Sequence, residues 1–129
     1  MLTIGSATRI YLAAGVTDMR KSFNGLHGIV ESVLRRDPLT GHLFVFCNRS
    51  RNRIKILFWD GSGLWVCAKR LEQGTFSWPE TTATAIELDH EELSMLIGGI
   101  DLGQSRPRRW YRRHAKSSPK NRESMNASS

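Results

Sequence analysis

From His42 to Leu71 the chain alternates apolar runs with turn signals. The stretch reads HLFVFCNRSRNRIKILFWDGSGLWVCAKRL. Val, Ile, Phe and Trp crowd the runs, and such side chains suit a pleated, half-buried surface. Asn48–Asn52 forms the first interruption and Asp60-Gly61-Ser62-Gly63 the second. The glycines supply the positive-φ positions that a tight reversal requires. The pattern predicts a three-stranded antiparallel meander of His42–Cys47, Ile54–Trp59 and Leu64–Arg70.

Upstream, RIYLA at Arg9–Ala13 is a short strand candidate. Met19, Phe23, Leu26, Val30, Val33 and Leu34 then recur at steps of three and four, which predicts a helix with one apolar stripe over Asp18–Arg36. Asp18 is the expected N-cap, Arg35 and Arg36 complement the dipole in the last turn, and Asp37-Pro38 stops the helix. Gly25 and Gly28 weaken a helix but would let another backbone approach closely, as packing on the sheet requires. Downstream, Glu72–Pro79 reads as a loop, Thr84–Leu88 as a weak strand, and Asp89–Gly98 as a short helix with Glu91 and Glu92 in its first turn. The expected fold class is α+β. A mostly antiparallel sheet of four or five strands holds a central meander, with one long helix packed on it and a short C-terminal helix. Residues 1–102 form the domain, and 103–129 are a basic tail expected to lack a fixed structure in isolation.

Charge sharpens this picture through its distribution. The 129 residues carry a net charge of +7. Residues 1–102 hold 11 Lys+Arg against 11 Asp+Glu, whereas residues 103–129 hold eight against Glu123 alone. A basic arm beside a neutral body is a usual footprint of nucleic-acid binding, and equally of a solvated tail. No apolar run approaches the length of a spanning helix and no secretory leader is evident, so a soluble cytosolic protein with two buried thiols, Cys47 and Cys67, is expected.

Catalytic and metal chemistry find little support. The four histidines and two cysteines show no zinc-ligand spacing, and no base or orienter marks Cys67 as a nucleophile. Asp18, Asp60 and Glu72 could be assembled into a nuclease-like acidic set, but two of them read as cap and turn residues. No cofactor is expected. Cationic chemistry is better represented. Arg49, Arg51, Arg53 and Lys55 crowd one hairpin turn, and a two-stranded ribbon fits the major groove of B-DNA. Lys69 and Arg70 end the third strand near the start of the second. Arg20 and Lys21 fall in the first turn of the expected helix, where cations oppose its dipole, either as solvated side chains or facing a phosphate or an acidic partner as part of the same surface. Trp59 and Trp65 are core or base-stacking residues. In the tail, Arg108, Arg109, Arg112 and Arg113 flank Trp110 and Tyr111.

Four segments taken together resemble the accessory protein encoded by the second open reading frame of insertion-sequence family 66. They are TDMRKSFNGL (Thr17–Leu26), DPLTGHLFVF (Asp37–Phe46), NRSRNRIKILFWDGSG (Asn48–Gly63) and KRLEQGTFSWP (Lys69–Pro79). The resemblance covers about residues 9–102 and leaves the basic tail unmatched. Cys47 and Cys67-Ala68 depart from the pattern, at positions where the family often has a basic residue and a larger aromatic. The resemblance implies a role in DNA transposition beside a larger transposase that carries the catalytic acids. The resulting expectation is a non-enzymatic accessory factor binding DNA, such as the element's terminal repeats, or a DNA–transposase complex. The alternative is an interaction module whose arginines grip the transposase and never touch DNA. Oligomeric state is left open.

Overall fold

The computed structural model describes Gly5 and residues 7–98. Five strands and two helices follow one another as β1 (Ile10–Val16), α1 (Phe23–Ser32), β2 (Leu43–Cys47), β3 (Arg53–Trp59), β4 (Leu64–Arg70), β5 (Ala85–Leu88) and α2 (His90–Gly98). They build one sheet in the order β4-β3-β2-β1-β5. The expected meander is present as β2–β3–β4, antiparallel throughout. β5 returns antiparallel to β1. β1 and β2 pair in parallel, so the sheet is mixed. Parallel neighbours cannot be joined by a tight turn, and α1 lies in the long connection between them.

β2 sits at the centre and explains its own composition. All of Leu43, Phe44, Val45, Phe46 and Cys47 are buried, because both faces of the central strand are covered. Leu43, Val45 and Cys47 join Ile10, Leu12, Ile54, Ile56, Leu93 and Leu96 on the α2 side. Phe44 and Phe46 join Tyr11, Met19, Leu26, Val30 and Leu57 on the α1 side. The 72–79 loop also enters the core. Phe76 and Trp78 are buried beneath α2, and the Trp78 indole N–H donates to Ala14 O at 3.2 Å. Burying such side chains contributes about 1.5–3 kcal/mol each relative to leaving them exposed.

The long helix is shorter than its apolar stripe suggests. α1 begins at Phe23 with Ser22 at the N-cap position, not at Asp18. Asp18 instead closes a separate turn: its Oδ1 accepts the Arg20 backbone N–H at 2.9 Å, and its carbonyl accepts the Lys21 N–H. This is the Asx behaviour that lets aspartate compete with helix formation. At the other end the helix stops at Ser32, and Arg35 adopts a positive φ of 58°. Arg36 therefore leaves the helix end and lies over the Tyr11 ring, 4.0 Å from its centroid. Neither arginine serves in the last turn.

Candidate functional site

The β2–β3 turn is organised around the Asn48 side chain, beside backbone bonds from Arg51 N–H to Asn48 O and from Asn48 N–H to Arg53 O. Asn48 Oδ1 accepts the backbone N–H groups of Asn52 and Arg53, both at 3.1 Å. Its Nδ2 donates to Asn52 Oδ1 at 2.8 Å. Arg51 has a φ of 59°, a conformation that costs a non-glycine residue about 1 kcal/mol. The surroundings fix it there. Arg51 O accepts the Phe76 N–H at 2.7 Å, and its guanidinium lies 5.3 Å from the centroid of the Trp78 ring. Asn52 O accepts the Leu71 N–H at 2.8 Å. The tip is thus tied to the chain that follows β4 and presents its outward side chains on a rigid frame.

A second loop docks beside it. Thr17 N–H donates to Cys47 O at 2.8 Å. Lys55, half-buried on β3, reaches beneath the loop, and its Nζ donates to Met19 O and Lys21 O, each at 2.9 Å. Between the loop and the tip lies an open groove of about 600 Å³, lined by residues 16–20, Asn48, Arg49, Ser50 and Arg53. Its walls thus carry Arg20, Arg49 and Arg53 against the one carboxylate of Asp18. Arg49 and Arg53 are exposed and make no side-chain hydrogen bond or ion pair among the described residues. Arg20 is also exposed, with its guanidinium forked on Asp18 at 2.7–3.1 Å. That pairing holds the Asp18 carboxyl well below the usual carboxylate range and raises Arg20.

The sequence-derived cations therefore divide by position. Arg70 lies directly across from Arg53. The neighbouring Leu71–Asn52 hydrogen bond makes this a non-hydrogen-bonded pair, in which facing side chains approach most closely. Like charges so placed are destabilising. Arg70 has Glu72 at 3.1 Å, whereas Arg53 has no counter-charge among the described residues. Lys21 stands exposed, with its stem against Gly25, where a Cβ would come within 2.9 Å of the Lys21 Cβ. That contact explains the glycine. Lys55 is an internal clamp, not a surface cation. Lys69 lies on the opposite face, since side chains alternate along a strand, and its Nζ donates to Ile97 O at the end of α2. Arg51 covers Trp78. The tail residues Arg108, Arg109, Arg112 and Arg113 lie outside the described residues.

The acids are dispersed. Asp60 sits at the far end of β3 from the groove, accepting from Ser62 and Gly63 N–H through Oδ1 and from the Trp65 indole through Oδ2 at 2.8 Å. These bonds, the indole's foremost, hold its carboxyl well below the usual range. Glu72 pairs with Arg70. Among the described residues, no group of three or more His, Cys, Asp or Glu side chains is placed to hold a metal ion. Cys47 is buried and its thiol is pushed up by that burial, while Cys67 is half-buried; both are free. Asn48, Thr17 and Ser50 also line the groove and are not among the sequence-derived site residues. An asparagine opening a cation-rich turn is the signal that finds Asn48.

The fold and groove define a small mixed α+β domain with a basic rim and no assembled acidic centre among its described residues. A family model described as IS66 Orf2 like protein matches residues 8–107. The chain belongs to that family, whose members are accessory proteins of IS66 transposition. Two similar proteins occur in Sinorhizobium fredii (strain NBRC 101917 / NGR234). Uncharacterized protein y4hO is 43% identical over 101 residues, covering 78% of this chain and 88% of its own length. Uncharacterized protein y4jC is 39% identical over 93 residues, covering 72% and 80%. No solved structure matches significantly. No helix among the described residues is long and apolar enough to cross a membrane.

Proposed function

We propose that this protein is a non-enzymatic factor in DNA transposition that binds DNA phosphates through the groove between the β1–α1 loop and the β2–β3 tip. The observation that carries this reading is the convergence of Arg49, Arg53 and Arg20 on one open groove, with Arg49 and Arg53 lacking any anionic partner among the described residues. Arg49 and Arg53 are the primary phosphate ligands. Arg70 and Lys21 flank them, and Arg20 contributes when phosphate competes with Asp18 for its guanidinium. Lys55 acts inside the fold and holds the loop that carries Arg20 and Lys21, whereas Lys69 ties β4 to α2 on the opposite face. The tail arginines Arg108, Arg109, Arg112 and Arg113 add sequence-independent affinity through counterion release. Phosphate contacts of this kind fix register on a duplex and carry no sequence information directly. Preference for the element's ends therefore comes from few base contacts or from the larger transposase.

Fluorescence anisotropy of the full-length protein on the element's terminal repeat and on a scrambled duplex tests the reading. Binding that weakens steeply with salt, and that falls when Arg49 and Arg53 become alanine, is the expected result. Binding that depends only on the tail arginines contradicts it. So does the absence of DNA binding together with capture of the purified transposase, which would make the groove a protein-docking surface.

A further inference from the structure

β4 is one edge of the sheet. Among the described residues it pairs only with β3. Its backbone orientation follows from two bonds at its ends. Leu71 N–H donates to Asn52 O, and Gly63 O accepts the Asp60 N–H. The register between is unbroken, so odd-numbered residues direct their backbone groups toward β3. Leu64, Val66, Ala68 and Arg70 direct theirs outward, where an added strand would find donors and acceptors in alternation. Edge strands are commonly blunted by lysine, proline or a bulge. Here the charged residues sit at one end only, and Leu64–Ala68 carries no charge, no proline and no bulge.

We propose that β4 is a self-association edge, at which two copies of this chain pair antiparallel about Cys67 to form one continuous sheet. The strand is polar along its length. Its first end carries Trp65, half-exposed at 51%, with the Asp60 carboxylate bonded to its indole. Its second end carries Lys69, whose Nζ bonds Ile97 O, and Arg70, paired with Glu72, and keeps a net positive charge. An antiparallel two-fold arrangement lays the cationic end of each copy against the acidic, aromatic end of the other, whereas a parallel one would stack like on like. The register centred on Cys67 faces Val66 with Ala68 and Leu64 with Arg70, so every outward N–H and C=O finds a partner. Shifting by one hydrogen-bonding step leaves an end unpaired. In the centred register Trp65 faces Lys69, and Cys67 faces its own copy, both as non-hydrogen-bonded pairs with side chains at closest approach. Trp65 is pre-organised for such a contact. Its indole is pinned by Asp60 and its ring is stacked on Phe58 at 6.1 Å and 5°, so little rotamer freedom is lost on association. The interface is isologous, the commonest closed symmetry of soluble oligomers. It does not depend on DNA binding.

The test uses the full-length protein without DNA. Sedimentation velocity across a micromolar concentration series is expected to show a dimer. Oxidation by copper–phenanthroline is expected to join two chains through Cys67. Cys67→Ser should abolish the cross-link and keep the dimer, whereas Cys47→Ser, at a buried position, should change neither. Ala68→Pro removes an outward N–H and no ladder bond, so the monomer's far-ultraviolet spectrum should persist while self-association weakens at least about tenfold. A monomer throughout the series, or a dimer that survives Ala68→Pro and gives no Cys67 cross-link, would overturn the proposal. Cross-linking at Cys67 remains decisive should the proline variant fail to fold.

Discussion

The two turns that flank β3 share a device and differ in charge. In each, the side-chain oxygen of the first residue gathers backbone N–H groups: Asn48 collects Asn52 and Arg53, and Asp60 collects Ser62 and Gly63. The aspartate brings a carboxylate that fastens Trp65 and leaves a closed, self-satisfied corner. The asparagine supplies the same acceptor without the charge. Its amide donates onward to Asn52, and the field of Arg49 and Arg53 is left unopposed from within the turn. Aspartate at position 48 would keep the Oδ1 acceptor, with the Asn52 amide turned over to donate to the second oxygen. On the proposed reading, a neutral key is what keeps the tip available to an anion.

Reversing the charge of the tip, with Arg49→Glu and Arg53→Glu together, should break the contrast most severely. DNA affinity is expected to fall by about a hundredfold or more in low salt, measured by anisotropy, with the melting temperature little changed because both side chains are exposed and unpaired. Next in size is Lys55→Met, which removes the clamp between β3 and the β1–α1 loop. Two backbone carbonyls lose their donor, so stability should drop by about 1–3 kcal/mol in urea titration. Affinity should fall with it, because Arg20 and Lys21 lose their placement.

Asn48→Asp is the sharpest comparison. Oδ1 still accepts the Asn52 and Arg53 N–H groups and the Asn52 amide can turn over to donate to the new oxygen, so the turn should persist, but a carboxylate enters the groove. Affinity should fall by roughly fivefold to tenfold at low salt, and the deficit should shrink as salt screens it. The reciprocal change, Asp60→Asn, should leave DNA affinity unaltered and lower the melting temperature slightly. Its pH dependence carries a sign. The Asp60 carboxyl titrates lower in the folded chain than its ordinary value of 3.8. Its contribution to stability is therefore full above that value and is lost as pH falls toward the folded-state titration. Wild type and Asp60→Asn should thus converge in melting temperature under acid conditions.

Strand existence was legible in the sequence because alternation and turn chemistry are local. Leu64–Arg70 matches its expected bounds, and β2 and β3 shift by a single residue at one end. Neighbour relations were less legible. The parallel β1–β2 pair follows from what α1 must cross, which strand periodicity does not encode. The early helix start expected at Asp18 failed because an Asx turn and a cap use the same residue types. In the site, the sequence marked every cation but not its employment. Lys55 and Lys69 bond backbone carbonyls 28 to 36 residues away, and Arg51 turns back onto Trp78. Arg53 and Arg49 remain outward because strand alternation and the Asn48 turn place them there. Only the assembled fold distinguishes a cation that builds from one that is free to bind.

The most direct test of the account is the salt dependence of DNA binding by the full-length protein, compared with its Arg49→Ala/Arg53→Ala variant. Each lost phosphate contact should reduce the slope of log affinity against log salt by about 0.9. The account predicts a variant slope shallower by roughly 1.8, with affinity lowered similarly on terminal-repeat and scrambled duplexes. Equal slopes for the two proteins would contradict it, and would assign the cationic tip of β2–β3 to something other than DNA phosphates.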